Sequence, residues 1–162
     1  MQKGMKVVAG VTFIVYVLAL VSILFMGTRG YAFSETSLVE YIRKSSNIVP
    51  FKTISTYVTA IVDESMNMDI PIKNLFGNVI LFFPMGIYLP FFLKKANKVS
   101  IFAISMTLLL FVIEFVQVVT RRGRFDIDDF ILNMLGAFIG FAIWRSNFVK
   151  KYIGRTTYSS GL

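Results

Sequence analysis

Any chemistry done by this 162-residue chain must run on carboxylates, amides, hydroxyls, lysine or arginine, because it contains no histidine and no cysteine. Disulfides, thiol nucleophiles and His or Cys metal ligands are thereby excluded. The remaining polar residues recur at helical spacings. Glu114 and Gln117 are three apart, Asp126 and Asp129 three apart, Asp129 and Asn133 four apart, and Asn74 and Asn78 four apart. On a helix, each such pair shares a face. Glu114 and Asp126 suit acid/base work. Carboxylates with amide oxygens also suit a hard divalent cation such as Mg²⁺. Arg121, Arg122 and Arg124 have the planar donor fork that binds phosphate or carboxylate. These spacings match no phosphatase, transferase or phosphate-loop motif, so they define a candidate site without naming a reaction.

The elements that must position these residues are membrane spans. The chain is 56% hydrophobic and only 16% charged, with a mean hydropathy of +0.69. A helix needs about 20 mostly apolar residues to cross a bilayer. Four windows meet that need: Val7–Met26, Leu75–Leu93, Val99–Val119 and Ile127–Trp144. The expectation is therefore an all-α polytopic membrane protein with one domain over 1–162. The first window is longer than a cleavable signal and lacks a small-residue cleavage site, which predicts a retained helix.

Four spans place both termini on one side. That side holds nine of the 17 Lys and Arg residues and no acid, whereas the other side holds eight of them together with nearly all the acids. The uncompensated positives predict cytoplasmic termini, with a basic cytosolic tail at 145–162. The second span then begins outside, the third ends there and the fourth begins there. Asn74, Asn78, Glu114, Gln117, Asp126, Asp129 and Asn133 all fall at that level. Glu114 lies about 7.5 Å inside the span end. A carboxylate at membrane depth costs about 2.5–3.5 kcal/mol on insertion scales, so it is expected to face the bundle interior. If the fourth helix starts near Asp126, then Asp126, Asp129 and Asn133 share a face and Asp128 points elsewhere. A capped helix start explains Asp128 as readily as a site does.

The 27–73 segment is expected to carry short helices. Ser37 and Glu40 fit a capping box. Phe51, Ile54, Tyr57, Val58, Ile61 and Val62 recur at helical spacing, which predicts an amphipathic helix lying in the interface or packed on the bundle exterior. Gly77, Pro84, Gly86 and Pro90 predict a bent second span, and Gly136 and Gly140 predict close helix packing in the fourth.

Several segments together resemble the VanZ-like family of bacterial membrane proteins. They are Asn47-Ile-Val-Pro-Phe51, Asn74-Leu-Phe-Gly-Asn-Val-Ile-Leu-Phe-Phe-Pro-Met-Gly86, Glu114-Phe-Val-Gln117, Arg124-Phe-Asp-Ile-Asp-Asp129 and Asn133-Met-Leu-Gly136. The resemblance implies a role in the cell envelope, since the family's namesake is associated with resistance to the glycopeptide teicoplanin. It also implies that Asn47, Pro50 and Phe51 belong to the site. Three readings remain open: an enzyme on a lipid-linked or other amphiphilic substrate, a non-catalytic binder that shields a cell-wall precursor or a lipoglycopeptide, and a transporter. The last has little support from four spans without an internal repeat. Nothing points to nucleic acid, and neither a bound metal nor the oligomeric state follows from the residues.

Overall fold

The computed structural model describes residues 2–26 and 37–146. Its elements are α1 (Gln2–Phe25), α2 (Leu38–Ser45), α3 (Lys52–Val62), α4 (Asp69–Phe92), a 3₁₀ turn (Lys94–Asn97), α5 (Val99–Val119) and α6 (Ile127–Arg145). Among the described residues there is no β-strand beyond one isolated bridge, and α1, α4, α5 and α6 are long and apolar enough to span a bilayer. Most of the basic tail, and Arg29 and Glu35 of the long loop, lie outside the described residues.

The second span begins at Asp69 rather than Leu75. Its first turn, Asp69-Ile-Pro-Ile-Lys73, carries two charges and a proline and so falls outside an apolar window, yet it is well made. The Asn67 side chain accepts from the Asp69 amide at 3.0 Å, and Asp69 pairs with Lys73 at 3.1 Å. Pro71 is tolerated there because first-turn amides have no partner within the helix. The helix then runs unbroken through Pro84 and Pro90.

Close packing of α4 on α6 forms the centre of the bundle. A β-carbon added to Gly136 would run into the carbonyl of Val79, one on Gly140 into the carbonyl of Phe83, and one on Gly86 into the carbonyl of Ala137. The two helices run parallel, and their backbones touch where side chains would ordinarily stand. In hydrocarbon, where apolar burial does not drive helix association, such intimate contact is a main source of attraction. The small-residue pattern of α6 is thus used inside the chain. Antiparallel α5 closes the core with Phe102, Met106 and Leu110, and the Phe102 and Phe141 rings stack at 4.2 Å.

Two further features fit a lipid environment. Val7, Val11, Ile14, Val15 and Leu18 of α1, Ile104, Leu108, Phe111, Val112 and Phe115 of α5, and Leu135, Ile139 and Ile143 of α6 are all exposed. An apolar belt of this extent is not sustained against water. α1 is held mainly by side chains: the Tyr16 hydroxyl donates to the Leu81 carbonyl at 2.8 Å, and its ring joins Phe13, Tyr88 and Phe92.

Gly136→Val should therefore disrupt the α4–α6 contact and cost at least the roughly 1–3 kcal/mol typical of overpacking. Gly77→Ala, with nothing within 4 Å of the new methyl, should be neutral or slightly stabilising. Thermal unfolding of the two purified variants in detergent, each against wild type, checks the pair.

Candidate functional site

α5 determines where Glu114 goes. Its buried residues are Phe102, Met106, Leu110, Glu114 and Val118, one stripe at four-residue spacing. Glu114 therefore shares the face that packs into the bundle and is only 5% exposed. Asp129 and Asp126, at the start of α6, are among the charges that act on it. One carboxylate oxygen, Oε2, has no hydrogen-bond partner.

Asp129 and Asn133 face α4, as expected from their spacing. Asn78 Nδ2 donates to Asp129 Oδ1 at 2.6 Å, a bond between the two glycine-packed helices. Asn133 is one turn deeper, 6% exposed, and its Oδ1 is unpartnered. Asn74, one turn from Asn78 toward the start of α4, donates to the Tyr57 hydroxyl at 3.4 Å and leaves its own buried Oδ1 unpartnered.

Asp126 departs from the expected shared face. α6 begins at Ile127, and Asp126 is its N-cap with extended backbone, accepting from the Asp128 amide at 2.9 Å. Its carboxylate turns aside to the 46–53 segment, where it accepts from Asn47 Nδ2 at 3.0 Å and from the Thr53 hydroxyl at 2.7 Å. Asn47 also donates to Thr53 Oγ1 at 3.0 Å. The Asn47 backbone completes the clamp, donating to the Phe125 carbonyl at 2.8 Å and accepting from the Ile127 amide at 3.0 Å.

Asp128 has the role that spacing alone did not reveal. It is 0% exposed, and its two oxygens accept from the backbone amides of Phe51 (2.5 Å), Thr53 (2.7 Å) and Ile54 (3.1 Å). These are amides at the start of α3, which has no side-chain cap of its own. A helix N-terminus favours an anion, and here a carboxylate from a distant part of the chain supplies it. Phe51 sits at φ 65°, a left-handed conformation that costs a non-glycine residue about 1–2 kcal/mol. The Asp128 bond to its amide helps hold it there.

The other expected residues are placed as follows. Gln117 Nε2 donates to the Leu24 carbonyl at 3.0 Å, and its backbone carbonyl accepts from the amides of Arg122 and Gly123, so it ties α1 and the 120–125 loop to α5. Pro50 and Phe51 are exposed at the tip of the clamped loop, and Arg124 is also exposed. α3 packs Ile54, Tyr57 and Ala60 toward α4 and α6 while Phe51, Val58 and Val62 stay exposed. Residues the spacing did not assign to the site include Tyr57, read only as part of an amphipathic helix, Thr53, and Tyr41, whose buried hydroxyl donates to the Gly123 carbonyl at 2.6 Å beneath Arg121. Ser37 caps α2 through the Glu40 amide as its motif predicts. Among the described residues no three carboxylates come together in a way that would hold a metal ion.

This architecture defines a class: a multi-pass helical membrane protein whose buried polar groups are concentrated where α4 and α6 begin and α1 and α5 end. The profile of the VanZ/LLP1 family matches residues 13–150, and the chain belongs to that family. It is 25% identical over 127 residues to Protein VanZ of Enterococcus faecium, an alignment covering 78% of this chain and 69% of that protein. No solved structure matches.

Asp128→Ala should release the start of α3 while leaving the bundle assembled. Truncating a side chain that three backbone amides depend on costs about 1–3 kcal/mol. Hydrogen exchange should show faster exchange at residues 51–54, with α4 and α6 unchanged, and equal loss of protection in all three helices would refute the assignment.

Proposed function

We propose that this chain acts in the cell envelope by binding the polar head of a lipid-linked or otherwise amphiphilic substrate at the polar end of its bundle, with glycopeptide resistance as the physiological outcome. The observation that carries the reading is a buried carboxylate, Glu114, a buried amide, Asn133, and a half-buried amide, Asn74, each of which keeps a buried oxygen without a partner. Buried polar groups are normally satisfied, and an exception calls for an explanation such as a bound molecule. The lipid-exposed flanks of the bundle allow a substrate to keep its tails in the bilayer while its head enters between helices. The exposed apolar tip at Ile48, Val49 and Phe51 stands beside the clamp and is suited to the interface.

In this proposal the polar end faces outward and both termini are cytoplasmic. The native chain has no cysteine, so single cysteines report the orientation directly. A cysteine at Val49 should react with an impermeant maleimide in intact cells, and one at Lys95 should react only after permeabilisation. The reverse pattern would invert the topology.

Expression in a susceptible bacterium tests the role. The wild-type chain should raise tolerance to teicoplanin, and Glu114→Gln or Asp126→Asn at equal expression should abolish the gain. Full tolerance in both variants would sink the proposed site. Mass spectra of envelope lipids from the same cells separate the two modes of action. An altered lipid mass assigns an enzyme with Glu114 and Asp126 as the acid/base pair, whereas a stoichiometric complex with unaltered lipid assigns a binder.

A further inference from the structure

We propose that the Glu114–Asn133 pair is a receptor for a primary ammonium group, so that the head recognised at this end of the bundle carries an amine. This deepens the binding role proposed above and rests on it. Both side chains are more than nine-tenths buried, and each presents one unpartnered atom, Oε2 of Glu114 and Oδ1 of Asn133. Asn74, nearer the mouth, adds a third such oxygen. All three vacant positions are acceptors, so the missing partner is a donor.

Charge narrows the choice further. Asp129 and Asp126 already act on Glu114 electrostatically, and Asp128 lies under α3. Neutral groups hold two of these acids, with Asn47, Thr53 and a backbone amide on Asp126 and three backbone amides on Asp128. The Lys44–Glu40 and Lys73–Asp69 pairs join exposed neighbours on α2 and in the first turn of α4. An anionic head such as phosphate would be repelled from these oxygens. A neutral hydroxyl would donate but bring no charge to a buried carboxylate that pairs with no cation among the described residues, which is expensive in an apolar setting. Among the described residues no three carboxylates come together, so a divalent cation would have to be held mainly by amide oxygens and water. A quaternary ammonium carries the charge without an N–H. A primary ammonium brings one positive charge and three donors.

The amine could belong to a phospholipid headgroup or to a free amphiphilic amine, and the test separates these sources. Purified protein in phosphatidylcholine nanodiscs is titrated with short-chain phosphatidylethanolamine, with short-chain phosphatidylcholine and with octylamine. The ethanolamine lipid should bind about tenfold or more tightly than the choline lipid, which differs in lacking N–H donors; tenfold corresponds to about 1.4 kcal/mol. Octylamine competing with the ethanolamine lipid assigns the amine as sufficient, and failure to compete assigns the intact headgroup. Glu114→Gln should reduce the preference below about twofold, while Lys95→Ala at the opposite end should preserve it. Asn133→Asp adds a second carboxylate and should tighten amine binding, which provides a test should Glu114→Gln fail to fold. Equal binding of the two lipids by wild type, or a preference that survives Glu114→Gln, overturns the proposal. Equal binding combined with lost resistance in Glu114→Gln removes the ammonium and keeps the envelope site. Intact resistance in that variant together with an amine preference does the reverse.

Discussion

The structure depends first on how closely α4 approaches α6. Lipid tails are as apolar as leucine, so the hydrophobic effect offers little to hold two spans together inside a bilayer. Gly86, Gly136 and Gly140 supply the alternative, a backbone contact so close that a single added methyl would overlap a carbonyl. That contact permits little sliding. It fixes the relative height of the helices, and height is what brings Asn78 against Asp129 and places Asn133 one turn below.

The same register sets the loop before α6, and with it the docking of α2 and α3. Three anchors act there in sequence. Tyr41 bonds to Gly123, Asn47 bridges to residues on either side of Asp126, and Asp128 takes the first amides of α3. Asp126 and Asp128 are two residues apart and serve different partners, one a side-chain network and the other a helix terminus. The arm covering this end of the bundle is therefore tied to α6 through carboxylates, and the arm and the α4–α6 interface meet at one place. Glu114 differs from both acids because its buried Oε2 is left unpartnered. A cluster that satisfies Asp126 and Asp128 with several donors each, yet leaves Glu114, Asn133 and Asn74 incomplete, has its vacancy confined to the space among the long helices.

Much of this was legible in the residues. The four spans follow from long apolar windows, since only a helix satisfies its own backbone in hydrocarbon. The inward face of Glu114 follows from the cost of exposing a carboxylate to lipid. The Asn78, Asp129 and Asn133 alignment follows from helical periodicity, and the Ser37 cap from its motif. The start of α4 was less visible because the charges of Asp69 and Lys73 and the proline at 71 interrupt its apolar run. Gln117 shares a helical neighbourhood with Glu114 but is drawn away by the Leu24 carbonyl at the end of α1, a partner 93 residues away.

What the sequence by itself determined is each helix and the face each presents, because both depend on residues within a few turns of one another. What only the tertiary structure decided is which polar groups found partners. For Asp128 the spacing leaves a local cap and a site equally open, and it caps α3 instead, because the isolated pairing of Asn47 with the 125–127 backbone carries the start of that helix to it. Asp126 left its expected face because the N-cap position has extended rather than helical backbone. Hydrogen bonds reach only about 3 Å, so the partners of a buried group are settled by the packing of segments far apart in the chain, which no local spacing encodes.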